Sequence, residues 1–501
     1  NDVSSSQLGQ NRRVNIEAPR TPLNGLRVLD ISTVIAGPNC ARYLADFGAD
    51  VIKVERPDTG DSLRNMAWKD PRDGVGLWWK IANRNKRTIA LDFKNADDKA
   101  LFLDLVKDAH VVVENFRPGT LERLGLGPDE LLAINPSLVL TRVSGFGQTG
   151  PYAQRPGFAS IAESMSGFAA VNGEADGQPL LPAIALTDEV TGLVGAFSTM
   201  VALYSGVGQV VDISLLESMF HIMGPVASLF ALTGELQPRL GAGLPYTVPR
   251  GTYQCSDGQW VGISSSSDSV AARVLTLLGV GDDERFTSFD GRAAHREALE
   301  ELMRDWCSQR SRDEVIRLFE EAEAAIGPVM NMADIAVDPH FLFREAVTTV
   351  GETPMQNLIA KLSVTPGLLR HEGRGKDADG EDIRKNGWNQ KDGANMSNSP
   401  KPYVYVAGPL FDEGERWFIE KIDQLIQDAG FDTFLPHRDN PPKTAENVGE
   451  IFLNDKGGID RCQVVVANLN GIMTDDGTAW EMGYAYAHNK YIIGLFTDWR
   501  A

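Results

Sequence analysis

The stretch GLRVLDISTVIAGPNCARYLADFGADVIKVERP, Gly25 to Pro57, decides the fold. Gly25 to Ser32 is a short apolar run that reads as a buried strand, and the AGP of Ala36 to Pro38 turns the chain. CARYLADFGA then reads as a helix stopped by Gly48, and DVIKVERP as the next strand. Strand, helix and strand at this spacing need a crossover, so the two strands run parallel.

The same alternation continues outward. RTIALDF, HVVVENF and PSLVLTRVSG read as further strands, separated by the helices DDKALFLDLVKDA and DELLAIN. Repeated alternation predicts an α/β domain with a doubly wound, Rossmann-like sheet over 22–209. Strands become sparser beyond it, and 210–330 is expected to form a smaller α+β lobe, with 331–375 returning to the large domain. Residues 1–21 are polar and read as a disordered tail. The stretch from His371 to Pro402 is rich in Gly, Asp, Asn, Lys and Ser, which predicts a linker over 376–402. A fresh pattern, YVYVAGPLF, ERWFIEKIDQLIQDAG, CQVVVANLNG and YIIGLF, predicts a separate parallel α/β domain over 403–501.

Composition bounds the function. At 501 residues the chain exceeds the size of a single core, in agreement with two domains. A net charge of −20 disfavours nucleic acid and anionic membranes as partners and leaves small molecules. The most concentrated basic stretch is NRNKRTIALDFK, Asn83 to Lys94. Cys40, Cys255, Cys307 and Cys462 are widely spaced, with no His cluster nearby, so free thiols in a reducing, cytoplasmic setting and no metal site are expected. No uninterrupted run of about 20 apolar residues is seen, and no membrane span is predicted.

Two carboxylates, Asp188 and Glu189, open the apolar run that continues to Tyr204. Thr187 is a candidate N-cap, placing both acids in the first helical turn, where the macrodipole favours negative charge. They are then either dipole partners only, or one is an ionised nucleophile beside an apolar pocket.

Six ordered blocks shift this balance: the opening stretch extended to Asp61, NRNKRTIALDFK, VVENFRPGTLERLGL, RVSGFGQTGPY, ALTDEVTG and GVGQVVDISLLESM. Through them residues 22–375 resemble class III CoA-transferases of the CaiB/BaiF family. That resemblance implies an interlocked homodimer in which Asp188 attacks an acyl-CoA thioester, forming an anhydride and then an aspartyl-CoA thioester that an acceptor carboxylic acid collects. CoA thioesters are then substrates, and no permanently bound cofactor is implied. It places Val34, Arg56, Leu91, Lys94, Asn115, Phe116 and Arg123 at the CoA site, although the basic ones also read as solvated surface charge. Phe158 stands where racemases of this superfamily carry histidine, so 2-methylacyl-CoA racemization is the disfavoured alternative. Ser264 to Ser269 replaces a glycine-rich loop and Ile35 a glutamine of oxalate-using members, which argues against formyl-CoA:oxalate exchange. Phe158, Trp78 and Trp79 are candidates for an apolar acyl pocket.

From Tyr403 onward, YVYVAGPLF, FLPHRD, NDKGGIDRCQVVVANLNG and DDGTAWEMGYAYA resemble nucleoside 2-deoxyribosyltransferases, a flavodoxin-like domain. The resemblance implies Glu481 as nucleophile toward C1′ of a deoxynucleoside, with transfer to another nucleobase. Asp475 and Asp455 are then acids that bind sugar hydroxyls or relay a proton, and Tyr405, Gly408 and Gly477 nucleoside-binding positions. Gly477 and Thr478 are expected to turn into a helix with Glu481 in its first turn. A core role for Tyr405, a dipole role for Glu481, a nucleotide N-glycoside hydrolase and a non-catalytic nucleotide-sensing module are the alternatives.

Overall fold

A computed structural model describes residues 21–389, 403–444, 446–470, 475–488 and 490–496. Residues 1–20 of the predicted tail and 390–402 of the predicted linker lie outside the described residues. The chain divides into two compact units, the first ending at Trp388.

The first unit is built on a parallel sheet of β1 (Arg27–Asp30), β2 (Asp50–Glu55), β3 (Lys86–Ala90), β4 (Val111–Glu114), β5 (Val139–Ser144) and β6 (Gln209–Ser214), in the order β3-β2-β1-β4-β5-β6. The central strands β1, β2 and β4 are mostly apolar because both faces are covered. Val28, Val51 and Val111 meet Cys40, Ala41 and Leu44 of the Ala36–Asp46 helix and Ala196 and Ala202 of the Leu186–Ser205 helix. Their neighbours Leu29, Ile52 and Val112 point the other way, onto Phe102, Leu105 and Leu131. This is the expected doubly wound fold, and its order reverses between β1 and β4, which opens a crevice at their carboxyl ends.

By length and composition alone the Leu186–Ser205 helix could cross a membrane, although Asp188 and Glu189 interrupt its apolar run. Packing against the sheet and the Ala36–Asp46 helix accounts for one apolar face. Gly192 and Gly195 let it approach the Ala36–Asp46 helix, where an added Cβ would stand 2.9 Å from Asn39 Cβ and 3.0 Å from Cys40 Sγ.

Two boundaries move. Residues 210–214 are not the start of the lobe but part of the edge strand β6, in parallel register with β5 from Val139↔Gln209 to Ser144↔Ser214. The lobe itself is an antiparallel sheet, β7 (Arg250–Gln254), β8 (Trp260–Ser264) and β9 (Ile326–Pro328), with Val274, Met303, Val315 and Phe319 of three helices packed on Tyr253, Val261 and Ile263. After the hairpin β10 (Val347–Val350) and β11 (Thr353–Gln356), the chain runs back against the large domain, Leu368 N–H donating to Asp46 O.

Residues 376–388, predicted as linker, belong to the large domain. Asp377 and Asp379 accept from the edge amides of Ala90 (2.8 Å) and Thr88 (2.9 Å). Ile383 is sealed in the core, and Trp388 Nε1 donates to Leu105 O at 2.9 Å. The composition misleads because these carboxylates serve as acceptors for an otherwise unpaired sheet edge, and two apolar side chains suffice for docking. Trp388→Ala is therefore expected to cost about 3–5 kcal/mol in urea unfolding. A chain ending at residue 375 should unfold at lower urea than one ending at 388.

The second unit is a parallel sheet of β12 (Val404–Ala407), β13 (Thr433–Phe434), β14 (Val464–Asn468) and β15 (Tyr491–Leu495), in the order β13-β12-β14-β15. That order is the flavodoxin-like one expected. Its switch point lies between β12 and β14.

Candidate active sites

A cleft of about 1020 Å³ opens at the carboxyl ends of β1 to β4. Arg56, Leu91, Lys94 and Phe116 line it, together with Ile31, Thr33, Asp61 and Thr120. Three other predicted CoA residues are not among its lining. The Asn115 amide is committed to Thr33, donating to its carbonyl at 2.7 Å and accepting from its N–H at 2.8 Å. Val34 packs with Ile35, Leu63 and Trp79, and Arg123 donates to Thr120 Oγ1 at 2.9 Å. The basic stretch is mostly internal: Arg84 pairs with Asp46, Lys86 with Asp30 and Arg87 with Asp50, leaving Lys94 at the cleft.

The two carboxylates at the start of the Leu186–Ser205 helix differ sharply. Glu189 is tethered, accepting from Asn39 Nδ2 at 2.9 Å and Tyr43 Oη at 3.1 Å, with Arg42 at 3.6 Å. The Asp188 carboxylate has no hydrogen-bond or ion-pair partner among the described residues. Thr187 is not the N-cap; that position falls on Ala185, and the buried Thr187 hydroxyl donates to Glu163 Oε1 at 2.9 Å. Asp188 still lies in the first turn. Its acidity differs from the expectation, for burial, then the charges of Glu163 and Glu189, push its pKa up to about 6 and outweigh the helix dipole. A half-buried, unpaired carboxylate that ionises just below neutrality is a competent nucleophile. Ala185 packs on the same Ile35–Leu63–Trp79 cluster as Val34, which links the start of this helix to the wall of the cleft.

Glu163 was not singled out in the sequence, although one acid in the otherwise small and apolar helix Ala159–Met165 is a readable signal. Glu163→Gln is expected to lower the Asp188 pKa, moving the acidic limb of a pH–rate profile to lower pH. The apolar acyl pocket does not form within one chain: Phe158 is 67% exposed, whereas Trp79 is core and donates to Arg374 O at 3.0 Å.

In the second unit Glu481 lies in the second turn, not the first, because the helix Asp476–Ala487 is capped by Asp475. Asp475 accepts from Gly477 N (2.9 Å), Thr478 N (3.0 Å) and the Thr478 hydroxyl. Burial opposes its charge, yet these bonds hold its pKa below the usual value, and it orders the helix start. Asp455 accepts from Asn440 Nδ2 at 2.6 Å, and burial raises its pKa. Tyr405, expected at the nucleoside, is fully buried, stacks on Phe434 and donates to Glu481 Oε1 at 2.5 Å. Burial pushes Glu481 up to about 8 against that hydrogen bond, with Asp455 and Asp475 adding to the rise. Gly408 is a packing glycine, since a Cβ there would meet Ile419 Cδ1 at 2.2 Å.

A doubly wound sheet with a cleft at its switch point is the architecture of ligand-binding α/β proteins. Residues 23–373 match CoA-transferase family III, and the chain belongs to that family. Residues 404–501 match the nucleoside 2-deoxyribosyltransferase family. The chain is 38% identical over 364 residues to succinyl-CoA–D-citramalate CoA-transferase of Chloroflexus aurantiacus, covering 70% of this chain and 90% of that one. It is 34% identical over 334 residues to succinate–glutarate CoA-transferase of Agrobacterium fabrum, covering 64% and 83%. The crystal structure of a CaiB/BaiF family protein from Brucella suis superimposes with a TM-score of 0.66 at 32% identity, over 73% of this chain and 99% of that one.

Proposed function

We propose that the first unit transfers CoA between an acyl-CoA and a carboxylic acid, with Asp188 as nucleophile and dicarboxylic acids as the substrate class. The observation that carries this is the contrast between a tethered Glu189 and an unpaired Asp188. The Asp188 carboxylate adds to the thioester carbonyl and expels CoA thiolate, leaving an aspartyl anhydride. The thiolate attacks the aspartyl carbonyl, giving aspartyl-CoA thioester and the free donor acid. An acceptor carboxylate then attacks that thioester, and the released thiolate cleaves the second anhydride to give the new acyl-CoA and restore Asp188. Holding each partner in place raises the effective molarity of these exchanges. Relatives named for succinyl-CoA, citramalate and glutarate support four- and five-carbon dicarboxylates. Chromatography of succinyl-CoA incubated with citramalate, malate or glutarate tests it: a new acyl-CoA should form with at least one, and none would contradict the reading.

The second unit is proposed to transfer a deoxyribosyl group between nucleobases. Glu481 attacks C1′, the C1′–N bond breaks with a proton passing to the leaving base, and the incoming base displaces the glycosyl ester. Asp455, buried and with its pKa raised, suits the proton transfer.

The active form is proposed to be a homodimer. Phe197, Val201 and Tyr204 recur at i, i+4 and i+7 on the open face of the Leu186–Ser205 helix, and Tyr204 is 95% exposed. A second copy would cover them, and light scattering should return twice the chain mass.

A further inference from the structure

Four side chains clamp the three residues that leave β1. Asp30 Oδ1 accepts from the Ser32 amide (3.0 Å) and hydroxyl (2.5 Å), and the Lys53 ammonium donates to the Ser32 carbonyl. Asn115 holds both backbone groups of Thr33, and Asp61 Oδ1 accepts from Val34 N–H at 3.2 Å. Val34 has φ = +67°, a left-handed conformation that a β-branched residue adopts only when its surroundings impose it.

Asp61 is the junction of this arrangement. The same Oδ1 accepts from Leu63 N–H at 2.9 Å, capping the 3-10 turn Ser62–Arg64, and its own N–H donates to Glu55 at 3.0 Å. Its Oδ2 has no hydrogen-bond donor and lies 3.3 Å from Lys53, which is itself 3.6 Å from Asp30. Lys86 completes the group at 2.8 Å from Asp30, and all four side chains are sealed from solvent. Buried ion pairs are seldom the most stable filling for a core, since well-packed apolar residues often match them. What this one adds is an oxygen aimed at a strained amide on the cleft wall.

We propose that Asp61, paired with Lys53, is a positioning residue of the CoA cleft: it fixes Val34 in its left-handed conformation and locks the loop after β1 to the Ser62–Arg64 turn. Thr33, Asp61 and Ser62 form one wall of the cleft, so that wall is set by this carboxylate. Leu63 and Ile35, fixed by the same lock, carry Ala185 beneath the start of the Asp188 helix.

The inference rests on the cleft being the CoA site, and the test separates the two. CoA binding by calorimetry, KM, kcat and Tm are measured on the full chain for wild type, Asp61→Asn, Asp61→Ala and the double variant Lys53→Met/Asp61→Leu. Losing the acceptor in Asp61→Ala should weaken CoA binding and raise KM about tenfold or more, with kcat within about threefold. Asp61→Asn keeps an acceptor oxygen and should recover most of the binding. The double variant removes both charges together, so its Tm should fall less than that of Asp61→Ala while its binding defect matches Asp61→Ala. A folded double variant that binds CoA as wild type does would overturn the proposal, as would an unchanged KM in Asp61→Ala. Wild-type protein that binds no CoA would overturn the functional reading, and this inference with it.

Discussion

Asp188→Asn is expected to abolish CoA transfer, by on the order of a thousandfold or more, because an amide cannot form the anhydride on which every later step depends. Glu189→Gln separates chemistry from placement. It weakens the bonds from Asn39 and Tyr43, should cost about 1 kcal/mol or more of stability, and should leave turnover measurable. The acylation rate should climb as pH rises through about 6, where Asp188 becomes charged. Stability runs the other way. A carboxyl whose folded pKa is raised from 3.8 to about 6 stabilises the fold fully below 3.8, and that contribution is lost as pH rises through 6. Asp188→Asn should therefore raise Tm relative to wild type above pH 6 and lose that advantage below pH 4. An inactive variant with this signature has lost a strained functional charge, not its fold.

Glu481→Ala is the second large effect. Base exchange on a deoxynucleoside should vanish, while CoA transfer by the first unit is retained, because the two units have separate cores. With its pKa near 8, Glu481 is mostly protonated at neutral pH, so base exchange should increase up to about that pH. The Tyr405 hydroxyl favours the charged form. Tyr405→Phe should thus raise the Glu481 pKa and move the rising limb to higher pH. An unmoved limb would show that Tyr405 has no hold on the nucleophile's ionisation.

Much of this was legible in the residues. The alternation of VLD, VIKV and VVVE runs with helices sufficed for a parallel sheet, because strands covered on both faces must be apolar throughout. Arg56, Leu91, Lys94 and Phe116, named from their blocks, line one cleft. What failed was what depends on partners distant in sequence. Composition could not show that Asp377 and Asp379 would satisfy the edge of β3, or that the basic stretch would turn inward onto Asp30, Asp46 and Asp50. Cap positions moved because neighbouring polar residues compete for the same helix start: Thr187 turned to Glu163, and Asp475 took the cap that deferred Glu481 to the second turn. The hydrogen bond from Tyr405 to Glu481 became visible only once β12 and the Glu481 helix were packed.

The central claim is a covalent bond between one aspartate and CoA. Mass spectrometry of the full chain, quenched during turnover with succinyl-CoA and then digested, tests it directly. A CoA thioester on the peptide carrying Asp188, absent in Asp188→Asn, is the predicted result; turnover at full rate with that peptide unmodified, or with the adduct on another residue, would contradict it.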